Sequence, residues 1–184
     1  MKQDRMPLTV NRPELLIDGS DAAFRRLVHD LFGFLARHET VRDGHARYID
    51  LAGVDYSVLI AIAHIGADRD VGVKQVADYL HVSGTFVTRV VNKLEAQRLV
   101  RKQSSRTDGR RVILALTRAG LGRLEKLAPI QRRVNDVQFG ALSKSDFLLL
   151  TGLIEKMIIS SEEAIRLQDQ LHQAARQVHD SHRP

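Results

Sequence analysis

The stretch SSRTDGRRVILALT, residues 104–117, places Arg106, Arg110 and Arg111 around an Asp108-Gly109 pair and then runs into five apolar residues. Asp-Gly is a strong hairpin signal, because glycine accepts a positive φ and the Asp side chain can bond its own backbone. A turn that needed only solubility could use Ser, Asn or Glu. Three guanidiniums instead equip the tip to meet a negatively charged partner. A second constellation precedes it. Starting at Gly84 and advancing about 100° per residue, Phe86, Val87, Val90, Val91 and Leu94 gather on one side of a helix, and Thr85, Thr88, Arg89 and Asn92 on the other. One side packs. The other carries groups suited to base edges: Asn pairs with adenine, Arg with guanine, and a Thr methyl meets a thymine methyl. Backbone N–H groups near that helix N-terminus can also hold a phosphate.

The charge distribution agrees. The chain has 184 residues and a net charge of +6. Residues 74–118 hold ten Lys/Arg and three Asp/Glu, a balance of +7 that leaves −1 for the remainder. A basic excess confined to one central block is the footprint of a polyanion-binding module rather than a generally solvated surface. Hydrophobic residues make up 43% and aromatics 5%, which suits a helical protein packed with Leu, Val, Ile and Ala. There is no cysteine, so disulfides, thiolate metal sites and thiol switches are excluded. No apolar run approaches the ~20 residues of a membrane span. The first ten residues lack an apolar core of signal-peptide length, and a cytoplasmic location is expected.

The elements that must position these residues follow from periodicity. Residues 1–19 read as a flexible arm. Ser20-Asp21 reads as a helix cap and first turn, followed by an amphipathic helix to about Arg42. Residues 54–66 form a second, buried helix, with a turn and a very short strand around Val71–Val73 after it. Val76, Ala77 and Leu80 mark a short third helix. A turn leads to Ser83, which caps the fourth helix, running to about Gln97. Leu99–Gln103 and Val112–Leu116 are two strands around the arginine-rich turn. Thr117 caps a helix through about Phe139, with Pro129 expected to kink it. Ser143-x-x-Asp146 is a capping box before a last helix to about Leu171. Helix, turn, helix and hairpin together make a winged helix-turn-helix. The expected fold is mainly α with a small antiparallel β wing. Its DNA-binding domain spans 54–116, a helical dimerisation region 20–53 and 117–172, and a frayed tail 173–184. The wide apolar stripe of Leu148, Leu149, Leu150, Leu153, Ile154, Met157, Ile158 and Ile159 suggests burial against several helices, including those of a second copy.

VADYLHVSGTFVTRVVNKLEAQRLV followed by TDGRRVILALTRAG resembles the MarR family of bacterial transcription regulators, over residues 24–159. The resemblance implies a homodimeric, ligand-responsive repressor that binds a pseudo-palindromic DNA operator. The family's Asp-x-Arg wing signature is matched by Asp108-Gly109-Arg110. By that likeness Arg110 enters the minor groove, where a narrow, negative channel attracts cations, and Asp108 orients it or a neighbour. The expected DNA-contacting set is Ser83, Thr85, Thr88, Arg89, Asn92, Lys93, Arg106, Asp108, Arg110 and Arg111. One departure stands out: Arg98 occupies a position where the family has glycine, which would end the recognition helix in the left-handed region.

Family ligands lie between dimer helices and winged domain. Here His38, Arg42, His45, Tyr48 and Tyr56 fall at that place. Arg42 could fork onto a carboxylate and the tyrosines flank a ring, so an aromatic carboxylate or its thioester is the expected effector. Nothing in the sequence supplies enzyme chemistry: no nucleophile elbow, no phosphate-cradling glycine loop, no His-Glu metal motif. No cofactor or metal is expected. His38 and His45 could share a helix face, but the turn signal Asp43-Gly44 lies between them. His64 reads as a core histidine and Met157 as core filling. The competing reading is an architectural or protein-interaction winged helix without ligand control.

Overall fold

The computed structural model describes residues 6–67, 70–104 and 112–181, with side chains to residue 177. Its elements are α1 (Ala22–Tyr48), α2 (Gly53–Gly66), α3 (Val73–Leu80), α4 (Gly84–Ala96), β1 (Val100–Ser104), β2 (Val112–Leu116), α5 (Arg118–Gln138) and α6 (Lys144–Ser181), with a 3-10 turn at Pro13–Leu15. The chain divides into two compact units, the boundary falling inside α5 between Val134 and Asn135.

The first unit is organised around α2. Val58, Leu59, Ala61 and Ile62 are almost wholly out of water, and α3, α4 and β2 lie against this helix. Val76, Val87, Val91, Leu94 and Val100 close the same cluster, which also takes in Ala46 from α1, Ile49 just after it and Leu127 from α5. Burying a side chain of this size stabilises the fold by about 1.5–3 kcal/mol. The strands pair antiparallel, with Val100 opposite Leu116 and Ser104 opposite Val112. No separate strand forms at Val71–Val73. Val73 begins α3, and Val71 contributes one hydrogen bond instead, accepting from the Leu114 amide at 2.6 Å.

Three helices in this unit end in the same way without glycine. Asp50, His81 and Arg98 adopt φ of 55°, 53° and 59°. After α4, the Leu99 amide bonds the Leu94 carbonyl and the Arg98 amide bonds that of Glu95, the paired closure of a Schellman motif. Arg98 therefore does take the left-handed conformation that the family gives to glycine. Thr117 locks it, donating its hydroxyl to the Arg98 carbonyl at 2.6 Å and accepting from the Gly120 amide at 3.1 Å. A side chain at Gly120 would place its Cβ 2.1 Å from the Leu99 carbonyl oxygen, so only glycine lets α5 start this close to the wing.

Several boundaries differ from expectation. α1 does not stop at Asp43-Gly44 but continues to Tyr48, because His45, Ala46 and Ile49 are buried beyond it. That burial outweighs the roughly 1 kcal/mol helix cost of one glycine. The segment read as a flexible arm is tied down. Thr9 donates its amide and hydroxyl to Asp21 at 2.8 and 2.7 Å, and Arg25 pairs with the same carboxylate. Asp21 thus spends its side chain on the arm rather than on capping α1. His64 is exposed, off the stripe formed by Ile62 and Ile65.

The second unit holds the end of α5 and the long α6. The capping box is present: the Ser143 amide donates to Asp146 at 3.0 Å and the Asp146 amide to the Ser143 hydroxyl at 3.2 Å. α6 runs on past Leu171 to Ser181, since no Gly or Pro interrupts the sequence between Gly152 and Pro184. Its apolar residues, Met157 among them, are exposed within the chain rather than filling a core. No single helix among the described residues is long and apolar enough to cross a membrane.

Candidate nucleic-acid interface

α4 divides as its periodicity requires. Val87, Val90, Val91 and Leu94 are buried, and Phe86 is half-buried against them. Thr85, Thr88, Arg89, Asn92 and Lys93 are exposed. Ser83 caps the helix, its hydroxyl accepting from the Phe86 amide at 3.2 Å. Val73, Gly84, Thr85, Thr88, Arg89 and Asn92 line one shallow concavity. The outward side chains are not loose. Thr88 donates its hydroxyl to the Gly84 carbonyl at 2.9 Å, which leaves its methyl foremost. The Arg89 guanidinium lies 5.5 Å from the Phe86 ring centroid, a cation–π contact that restrains a long side chain.

Lys93, one of the expected contacts, also has a tie within the fold. Its ammonium pairs with Asp55 of α2, a carboxylate that is 2% exposed. A buried carboxylate needs such a partner, so Lys93 fastens α4 to α2. The residue that sequence reasoning passed over is Lys102 on β1. It donates to Asn92 Oδ1 at 2.6 Å and to Glu95 Oε2 at 2.7 Å, joining wing strand to recognition helix. The contact holds the Glu95 carboxyl below its usual range, with burial opposing. The signal was available: Lys102 lies two residues after buried Val100, hence on the same strand face. Arg106, Asp108, Arg110 and Arg111 lie outside the described residues.

The expected effector residues are brought together only in part. His45 and Tyr56 are buried and meet edge to face at 6.2 Å. Gln131 of α5 donates to the Tyr56 hydroxyl at 2.9 Å, and burial pushes that phenol's pKa up against this bond. Arg42 is half-buried and held by Glu39 at 3.0 Å and Asp43 at 3.4 Å, while its Nε is buried without a partner. Tyr48 is exposed and sits under the Lys126 ammonium, 5.9 Å from the ring centroid. His38 stacks on Phe34. With α1 unbroken, His38 and His45 share one face, yet the described residues contain no group of three or more metal-ligating side chains.

A short helix, a tight turn, a helix with a polar outer face and a paired two-stranded wing define a winged helix-turn-helix DNA-binding module. The model of the MarR family matches residues 49–111, which take in α2, α3, α4 and β1. Over that span the chain is similar to the MarR family of winged-helix transcriptional regulators. The HTH-type transcriptional repressor NicR of Pseudomonas putida is 27% identical over 131 residues, 70% of this chain and 79% of NicR. The HTH-type transcriptional regulator MhqR of Bacillus subtilis is 25% identical over 137 residues, 72% of this chain and 92% of MhqR. Among solved structures, Bordetella bronchiseptica BpsR, whose DNA binding is regulated by 6-hydroxynicotinic acid, shares the fold with a TM-score of 0.58 at 22% identity. It covers 72% of this chain and 98% of its own.

Proposed function

We propose that this regulator is a cytoplasmic, ligand-responsive repressor that reads a pseudo-palindromic operator as a homodimer. The observation that carries the reading is the outer face of α4. Thr85, Thr88, Arg89 and Asn92 stand clear of the core on a helix whose other face is buried. In this reading α4 lies in the major groove, and Arg110 enters the flanking minor groove with Asp108 orienting it. Arg106 and Arg111 contact phosphates. Ser83 and Thr85, at the helix start, hold the backbone. One helix covers too few base pairs to select a genomic site, so two copies act together on half-sites about 10 base pairs apart. The exposed stripe of α6 is the surface proposed to join them.

The effector is proposed to be an aromatic carboxylate or its thioester. His45 and Tyr56 supply an aromatic wall, and the unpaired Arg42 Nε supplies a donor for the acid. A ligand releases DNA only by its differential affinity for the two forms. The test is selection of bound duplexes from a random-sequence pool, followed by release with aromatic acids, 6-hydroxynicotinic acid included. Enrichment of an inverted repeat is expected, as is its release by an acid to which Arg42→Ala is insensitive. Equal retention of all duplexes would favour an architectural role. Release that survives Arg42→Ala and Tyr56→Phe would move the effector elsewhere.

A further inference from the structure

The contact between Lys102 and Asn92 decides more than the position of the wing. We infer that Lys102 and Glu95 fix the Asn92 carboxamide so that it offers only its N–H donors to DNA, and that α4 therefore selects a guanine, and so a G·C pair rather than an A·T pair, at the position Asn92 reads. This rests on the reading of α4 as the recognition helix.

Asn92 and Glu95 are three residues apart, on one face of α4. A single ammonium from β1 bridges them, at 2.6 Å to Asn92 Oδ1 and 2.7 Å to Glu95 Oε2. An ammonium has donors and no acceptor. The carboxamide must therefore turn its oxygen to Lys102, which sends its NH2 group the other way. Bidentate pairing with adenine needs both halves of the amide: Nδ2 donating to N7 and Oδ1 accepting from N6. Here Oδ1 is engaged by the Lys102 ammonium and is turned away from a base N6 donor. Guanine presents acceptors at both O6 and N7, whereas adenine sets the N6 donor beside its one acceptor, N7. Guanine therefore suits a side chain reduced to its N–H donors. Glu95 serves the arrangement twice. It holds Lys102 at Asn92 and cancels its charge, so Lys102 adds little to phosphate attraction. Lys102 and Glu95 are positioning residues. They act on the base through Asn92.

The experiment selects duplexes from one random pool with the wild-type chain, Asn92→Ala, Lys102→Met/Glu95→Gln, the triple variant, and Lys102→Arg. The double variant removes one charge of each sign, which leaves the local charge unchanged. Far-ultraviolet circular dichroism and a thermal melt establish that each is folded. The wild type is expected to require a G·C pair at one position, the one that Asn92→Ala relaxes. The double variant is expected to lose preference there by roughly tenfold, with an unchanged slope of affinity on salt. Adding Asn92→Ala to it should cost nothing more at that base pair. Lys102→Arg, which keeps a cationic donor, should restore the preference. An A·T pair at that position overturns the inference. So does a double variant with intact preference. A uniform loss over all sequences with a shallower salt slope would make Lys102 a phosphate contact instead. If the wild type enriches no sequence, the reading of α4 itself fails.

Discussion

α4 keeps Val87, Val91 and Leu94 wholly out of water, whereas α6 leaves Leu149 and Ile159 63% exposed. The two helices use the same aliphatic residue types. α4 is a short helix with α2 behind it, both ends closed by hydrogen bonds from neighbouring segments. α6 is 38 residues long, and its apolar positions from Phe147 to Leu171 are exposed within the single chain. The difference is one of completeness. The winged module buries its own core and can hold a reading face rigid. The long helix carries an apolar stripe that is exposed, and large exposed apolar surfaces mark interaction sites.

The comparison can be broken at either end, and the core end should give the larger effect. Leu94→Ala removes a fully buried side chain behind the reading face. It should cost about 2–5 kcal/mol in urea unfolding. Leu150→Glu with Ile154→Glu should do the opposite: little change in the unfolding of the winged module, but a weakening of self-association by roughly 100-fold, because two carboxylates would be desolvated. Sedimentation velocity across a dilution series measures this, and an unchanged dimer would show that α6 is not the interface.

Smaller changes sharpen the account of how the module closes itself. Arg98→Gly removes a side chain from a left-handed position, where a non-glycine residue costs roughly 1–2 kcal/mol. Glycine gives back part of that through the unfolded chain. A net gain of up to about 1 kcal/mol is expected in the same urea experiment, and a loss would mean that the Arg98 side chain holds the wing. Asp21 should give the smallest effect. Its two bonds from Thr9, with Arg25 adding to them, hold its carboxyl below the usual range despite burial. A depressed native pKa contributes stability that is present above the unfolded value, about 3.9, and is lost as pH falls through the native one. Thermal melts of Asp21→Asn should therefore fall less steeply than wild type below about pH 4. Parallel acid limbs would remove Asp21 from the account.

Much of this was legible in the sequence because periodicity reports which face is buried. The α4 wheel sorted reading side from packing side, and the Ser143–Asp146 box marked the start of α6. What was not legible depended on partners distant in the chain. Asp43-Gly44 reads as a turn until Ala46 and Ile49 are seen buried in the core beyond it. Lys93 reads as one more cation until Asp55, 38 positions earlier, is found beneath it. Lys102 reads as wing charge until α4 is packed alongside. The surroundings of the expected effector residues were not legible either, since residues at the ends of elements follow no common period. Arg42 and Tyr48 find partners on Glu39, Asp43 and Lys126 that no spacing rule named.

The central claim is that the exposed face of α4 reads sequence. Its most direct test compares wild type with Thr88→Ala, Arg89→Ala and Asn92→Ala on two duplexes of equal length at one salt concentration: the selected operator and a scrambled version. Each substitution should lower operator affinity by roughly tenfold or more, a loss of about 1–3 kcal/mol. For Thr88→Ala and Asn92→Ala, which remove no charge, scrambled-duplex affinity should hold. Equal losses on both duplexes, or none on either, would contradict the claim and place sequence recognition elsewhere in the chain.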